Sequence, residues 1–352
     1  MPDALPEAVS PEHLTDVLRG AGALSTGRVK SVAVESSRQL LLSVVMRLRL
    51  EVDEAGAEPP SLFFKTRRPE SPIDSAAVGR AEVDFYSRVA PRTPAGLLPR
   101  CFEAVAGADG GWHLLLEDLS ASHDVVDAWP LPPPAEQCDR IIGAHARFHA
   151  FWWDHPDLGR SVGTFLDGAG FDGFLARFSG QLAAFVDKLG DRMTSEQRRA
   201  YERLVAGAPR LFDERYRPHR NLTLVHGDAH VWNALYPRDG GSDDVRLIDW
   251  DSWRVDTATD DLAYMMAIHW FPERRRRLER ECLRRYHAVL TESGVGGYDF
   301  DALWRDYRLS VLWQITIPVW QAANNLGPWI WWYNFERIMA AVEDLDCLAL
   351  LD

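Results

Sequence analysis

The run His226-Gly227-Asp228-Ala229-His230-Val231-Trp232-Asn233, followed by Leu247-Ile248-Asp249-Trp250, restricts what this chain can fold into more than any other feature. Leu222-Thr223-Leu224-Val225 reads as a buried strand entering the run, and Ala234-Leu235-Tyr236 as a strand leaving it. Pro237-Arg238-Asp239-Gly240-Gly241-Ser242 has turn chemistry, and Val245-Arg246-Leu247-Ile248 returns as a third strand ending at Asp249. Short strands and a tight loop can therefore gather two acids and an amide around one cation. Asp228 is placed to accept a proton from a hydroxyl, and Asn233 and Asp249 offer oxygen ligands suited to Mg²⁺. Phosphoryl transfer from a nucleotide needs such a set, because it depends on positioning and charge neutralisation more than on covalent chemistry.

The pattern resembles the HGDxHxxN loop of aminoglycoside phosphotransferases, choline kinases and the ecdysteroid-kinase-like (CHK kinase-like) group. The resemblance implies a bilobal α+β protein-kinase-like fold, with a small β-rich N-lobe and a larger, mainly helical C-lobe. It also sets demands upstream. Leu62-Phe63-Phe64-Lys65 is a strand ending in a lysine, and Asp74 to Ala90 reads as a helix with Glu82 in its middle. The resemblance makes Lys65 the phosphate contact and Glu82 its orienting partner. Trp112 to Leu119 is an apolar strand with an acidic exit, resembling the Leu-Glu-Asp-Leu hinge of the ecdysteroid-kinase-like group. Backbone of Glu117 and Leu119 is then expected to face the adenine edge; an ordinary buried strand with a polar exit fits the same residues. Between candidate strands Val29–Ser36 and Leu41–Leu50 the resemblance predicts a phosphate-covering loop. Here it is Glu35-Ser36-Ser37-Arg38-Gln39-Leu40, without glycine, so a solvated hairpin tip competes with a phosphate contact.

The chain of 352 residues, 46% hydrophobic and 26% charged, is long enough for a substantial core. Its expected organisation is an N-terminal helical extension over 1–27, a nucleotide-binding N-lobe over 28–119, and a C-lobe over 120–352 with catalytic loop, metal ligands and acceptor site. Ser10-Pro11-Glu12 starts a short helix that Gly20 to Gly22 ends. Trp129 to Pro134 is turn-like and leads into helix. No apolar run reaches membrane-span length, and the N-terminus lacks signal-peptide features. Cys101, Cys138, Cys282 and Cys347 are far apart and read as reduced thiols, which predicts a cytoplasmic protein. The net charge of -13 argues against nucleic acid and anionic membranes, and no protein partner is implied.

His145 and His149 share a helix face and read as packed, hydrogen-bonded residues rather than metal ligands, and His226 as a brace for the catalytic loop. Asp261 resembles the structural acid opening the next helix in these families. The short run from Asp249 to Asp261 leaves little room for a peptide-presenting segment, so the acceptor is expected to be a small molecule. Trp304, Trp313, Trp320, Trp329, Trp331 and Trp332 form either a helical core or an aromatic box, with Trp313 and Trp320 spaced for one helix face. Three function classes follow. The first is an ATP- and Mg²⁺-dependent O-phosphotransferase acting on a small-molecule hydroxyl (antibiotic, amino alcohol or sterol-like alcohol), with Asp228 as base. The others are a metal-dependent phosphoesterase and a catalytically silent nucleotide-binding protein. Nothing in the sequence separates ATP from GTP.

Overall fold

The computed structural model describes residues 6–53, 61–68, 75–126, 131, 133–238 and 244–352. The chain forms two compact units, Met1–Asp124 with Leu235–Ser252, and Val125–Ala234 with Trp253–Asp352. The mixed α+β architecture agrees with the sequence.

The first unit is built on a five-stranded antiparallel sheet of β1 (Val29–Gln39), β2 (Ser43–Val52), β3 (Leu62–Arg67), β4 (Cys101–Ala106) and β5 (Trp112–Glu117), ordered β1-β2-β3-β5-β4. Alternation along these strands puts Leu48, Leu50, Leu62, Phe64 and Leu115 into one core. Helix α1 (Pro11–Gly20) covers that core with Leu14 and Leu18. Ser10 caps it by accepting from His13 N, and Pro11 occupies the first turn, where no N–H is needed. Thr15 accepts from Val29 N and so ties the helix to the start of β1.

The predicted loop Ser36–Gln39 is strand instead. Ser36 to Gln39 pair with Arg47 to Val44, and the hairpin turns at residues 40–42. Without glycine nothing in this segment favours a left-handed turn, and the ladder continues past a bulge at Glu35, which pairs with Arg47 and Arg49.

Helix α2 (Ser75–Asp84) continues into a π-helical turn over Phe85–Val89; the expected start at Asp74 lies outside the described residues. Gly79 lets α2 lie directly on Trp112 of β5, whose indole N–H donates to Ser75 O at 2.8 Å. A short sheet ordered β6-β8-β9 comprises β6 (His123–Val125), β8 (Ala234–Pro237) and β9 (Arg246–Leu247). The expected turn between β8 and β9 falls largely on residues 239–243, outside the described residues, as does much of the turn before Pro134.

The second unit is mainly helical. Helix α3 (Ala135–Trp152) packs on α7 (Pro272–Glu292), and α4 (Gly168–Leu189) follows α3 in the chain. Helix α5 (Ser195–Arg215) starts with a capping box between Thr194 and Gln197. The strand entering the His226–Asn233 loop is β7 (Thr223–Val225), paired antiparallel with β10 (Arg254–Asp256). Then come α6 (Thr259–Ala263), with a π-helical continuation Tyr264–Ile268, α8 (Phe300–Trp313), α9 (Thr316–Ala323) and α10 (Pro328–Asp344). Trp313 and Trp320 do not share a helix. Pro318 cannot donate to residue 314, and its ring excludes a continuous helix across that carbonyl, so α8 ends and α9 begins anew. Trp331 is buried in helix packing, whereas Trp320 and Trp329 are exposed. The four cysteines are free thiols, and no helix among the described residues is long and apolar enough to cross a membrane.

A Cβ at Gly79 would lie 1.9 Å from the Trp112 ring, so Gly79→Ala is expected to destabilise the protein by about 1–3 kcal/mol through overpacking. Urea denaturation checks this; an unchanged midpoint would show that α2 is not seated on β5 as described.

Candidate active site

In the first unit, β3 pairs Lys65 with Val45 on one side and Leu114 on the other, fixing its register inside the sheet. The Lys65 ammonium sits 2.7 Å from Glu82 of α2 and also contacts Asp249, just beyond β9. Glu82 is buried, and the side chains of Lys65 and Asp249 are 12% and 37% exposed. Burial works against the ammonium, but Asp249 and Glu82 outweigh it and hold Lys65 above its ordinary pKa. Burial also pushes Glu82 upward, countered by Lys65 and by a hydrogen bond from the Trp250 backbone. Asp249 has a left-handed backbone (φ 68), uncommon outside glycine but tolerated by Asp. Next to it the Trp250 ring stacks on Phe85 at 4.1 Å, anchoring the turn to the segment that follows α2.

The expected hinge is a strand exit held by hydrogen bonds. Glu117 N donates to Arg100 O, and Asp118 N to Ser61 O. Leu119 O accepts from Ser122 N and His123 N. Asp118 is structural: its carboxylate accepts from Ser120 N and from Arg47.

In the second unit, one buried carboxylate organises the loop. Asp261 accepts from His226 N at 2.7 Å, Gly227 N at 2.9 Å and His149 Nε2 at 3.1 Å. The Tyr286 hydroxyl completes the array at His149 Nδ1, 2.9 Å away. Burial pushes Asp261 upward, but the His149 hydrogen bond and nearby histidines overcome it and hold the carboxyl well below its ordinary range. Gly227 takes φ 81, a conformation that suits glycine, immediately before Asp228. His226 braces the loop, its Nδ1 accepting from Asp228 N at 3.3 Å.

The Asp228 carboxylate accepts from Asn233 Nδ2 at 3.0 Å and from the Tyr264 hydroxyl, with His230 Nε2 3.4 Å away. Burial raises its pKa, yet His230, Tyr264, His226 and His269 together leave it below the usual carboxylate value, so it is ionised at neutral pH. Burial pushes His269 down to about 3, and its Nδ1 lies 2.9 Å from Tyr264 O. The amide nitrogen of Asn233 is committed to Asp228, which turns its oxygen to the other end of the fork. A carboxylate at Asp249 and an amide oxygen at Asn233 are both hard donors that fit a divalent cation such as Mg²⁺.

A cavity of about 740 Å³ in the same unit has Gly227 in its wall, beside Phe171, Phe174, Phe212, Tyr216 and Trp313. Of the six tryptophans singled out in the C-terminal third, Trp313 is the one lining it. Two of its three acids are paired with a cation: Arg254 contacts both Asp256 and Asp260, and Gln314 donates to Asp260 at 2.8 Å, while Asp167 accepts from Gly170 N.

Residues 39–294 match the Ecdysteroid kinase-like family. The chain belongs to that family. No curated protein matches the sequence. Among solved structures, this ecdysteroid kinase-like chain is similar to a Ralstonia eutropha protein provisionally assigned as an aminoglycoside phosphotransferase, at TM-score 0.59 and 14% identity over 96% of this chain and 98% of that one. An amicoumacin kinase bound to AMP-PNP and Ca²⁺ aligns at TM-score 0.52 and 15% identity, over 94% and 92%. A choline kinase from Streptococcus pneumoniae aligns at 0.50 and 12%, over 95% and 99%. These likenesses establish the kinase-like fold.

Lys65, Glu82 and Asp249 are thus together in one unit, and Asp228 with Asn233 in the other. Sequence reasoning missed Tyr264 and His269. Tyr264 lies three residues beyond Asp261 on one helix face, the one signal that pointed to it. The π-helical turn it opens is a feature often found at functional sites.

Asp261→Asn is expected to destabilise the protein by about 2–4 kcal/mol, since an amide cannot accept from all three donors. Because the folded carboxyl is depressed, its contribution is fully present above the unfolded pKa of about 3.9 and is lost as pH falls through the folded value. The gap between wild type and variant should therefore narrow in acid, and a gap that widens on acidification would contradict the assignment. Tyr264→Phe should raise the Asp228 pKa, read by carboxyl NMR titration; an unmoved Asp228 resonance would remove that hydrogen bond from the account.

Proposed function

We propose that the protein is an ATP-dependent O-phosphotransferase that moves the γ-phosphate to a hydroxyl of a small molecule. The carrying observation is the largely buried Lys65 ammonium held between Glu82 and Asp249. A cation kept charged and fixed in this way suits the polyphosphate of a nucleotide, the largest demand that phosphoryl transfer makes. In this reading Lys65 contacts the phosphates, and Glu82 keeps its ammonium from swinging away. The backbone of Glu117 and Leu119 lies along the adenine. Asn233 and Asp249 would hold Mg²⁺, which supplies charge neutralisation on the phosphates when bound.

Asp228 orients the acceptor hydroxyl and takes its proton. Its depressed pKa fits orientation of an already polarised hydroxyl better than strong basicity. Membership in the Ecdysteroid kinase-like family supports the reaction class. The acceptor enters the cavity that has Gly227, the residue before Asp228, in its wall. Its aromatic wall, with Asp256 and Asp260 already held by Arg254, favours a bulky, largely apolar alcohol over a polycation. The first unit then serves nucleotide binding, the second holds the acceptor, and no protein, membrane or nucleic-acid partner is required.

Asp228→Asn should leave nucleotide binding nearly intact while lowering turnover by roughly a hundred- to ten-thousand-fold. Isothermal titration together with a coupled ADP assay separates the two effects, and unchanged turnover would remove Asp228 from the mechanism. Asp249→Ala should instead weaken Mg²⁺-dependent nucleotide binding. If the alanine variant binds Mg²⁺–ATP like wild type, its ligand role is wrong.

A further inference from the structure

Away from the residues assigned to phosphoryl transfer, three side chains from three elements of the first unit converge. His13 comes from the first turn of α1, Glu103 from β4 and His113 from β5. Both imidazole Nε2 atoms lie 2.8 Å from the same carboxylate oxygen, Glu103 Oε2. All three donor atoms fall within 4.8 Å of one another. The rings of His13 and His113 stand edge to face at 6.4 Å, so neither blocks the other's approach to a common point.

The local sequence explains the convergence. A register shift between Cys101 and Glu103 sets Glu103 opposite Leu115, on the face that α1 covers. His113 lies two residues before Leu115 on β5, so it shares that face as the diagonal neighbour of Glu103. The helix cap at Ser10 and the buried Leu14 then fix where His13 meets them. We propose that His13, Glu103 and His113 form a binding site for a divalent transition cation of the Zn²⁺ type, clipping α1 to the sheet.

Two imidazoles and one carboxylate suit Zn²⁺ or Co²⁺ better than Mg²⁺ or Ca²⁺, which prefer all-oxygen shells. The three side chains are 35%, 19% and 17% exposed for His13, Glu103 and His113, which leaves a hydrated ion a way in and a position for water. A second trio, His145, His149 and Asp261, has the right residue types but is already spent. Both nitrogens of His149 and both oxygens of Asp261 are engaged in hydrogen bonds within the protein. His13 precedes residue 39, where the family match begins, whereas Glu103 and His113 lie within it.

The test uses the full chain without nucleotide, titrated with Co²⁺ and followed by visible absorption, with Zn²⁺ added as competitor. The expected result is one saturable Co²⁺ equivalent displaced by Zn²⁺, retained in Asp249→Ala and weakened at least tenfold in His13→Gln and His113→Gln. Glutamine keeps a hydrogen bond to Glu103, and far-UV circular dichroism verifies that each variant folds. Zinc should raise the thermal midpoint of wild type by a few degrees at saturating excess and leave the glutamine variants unmoved. Imidazole NMR of wild type reads the same site without substitution, with the resonances of His13 and His113 shifting together. Absence of saturable binding, binding that survives both glutamine substitutions, or shifts confined to other histidines would overturn the proposal.

Discussion

Withdrawing a lysine ammonium from water is tolerable only where carboxylates replace the hydration, and much of the first unit is arranged to supply them to Lys65. Strand register delivers the ammonium, α2 delivers Glu82, and a left-handed residue after β9 delivers Asp249. Each depends on its own support: Gly79 against Trp112 for the helix, Trp250 on Phe85 for the turn. Removing one partner of such a buried set typically costs about 3–5 kcal/mol, because the remaining charges lose their compensation. Charge placement and fold stability are therefore one requirement here.

The second unit solves a similar problem with a single anion. Asp261 accepts two backbone N–H groups of the His226–Asn233 loop and one histidine, so the loop's shape is set by a carboxylate that never meets solvent. Gly227 supplies the backbone angle that the arrangement demands, and Asp228 follows with its own ring of donors. The result is an anionic side chain whose orientation is determined before any ligand arrives, the condition under which positioning contributes most to rate.

What could be read from sequence followed from local chemistry. Ser10-Pro11 announces α1 because a cap and an N1 proline act within one turn, and Leu62 to Lys65 announces β3 through its apolar run. The loop from His226 to Asn233 was legible because its spacing carries chemistry. Features set by distant parts of the chain were harder to read. The extension of β1 through Gln39 depends on its partner β2, and the break between Trp313 and Thr316 depends on how Pro318 is accommodated. Tyr264 reaches Asp228 from a π-helical turn, and His269 beyond that turn bonds back to Tyr264 O, neither of which hydrophobic periodicity reveals. The meeting of His13 with Glu103 and His113 requires a bulge and a helix docking that sequence spacing cannot encode.

The most direct measurement is a mass-resolved assay of ATP consumption with Mg²⁺ across a panel of hydroxylated small molecules, run beside Asp228→Asn. The account predicts ADP formation matched by one acceptor alcohol gaining a single phosphoryl group, with the signal collapsing in the variant. Release of phosphate from an ester without nucleotide, or Mg²⁺–ATP binding with no phosphorylated product from any alcohol, would contradict it.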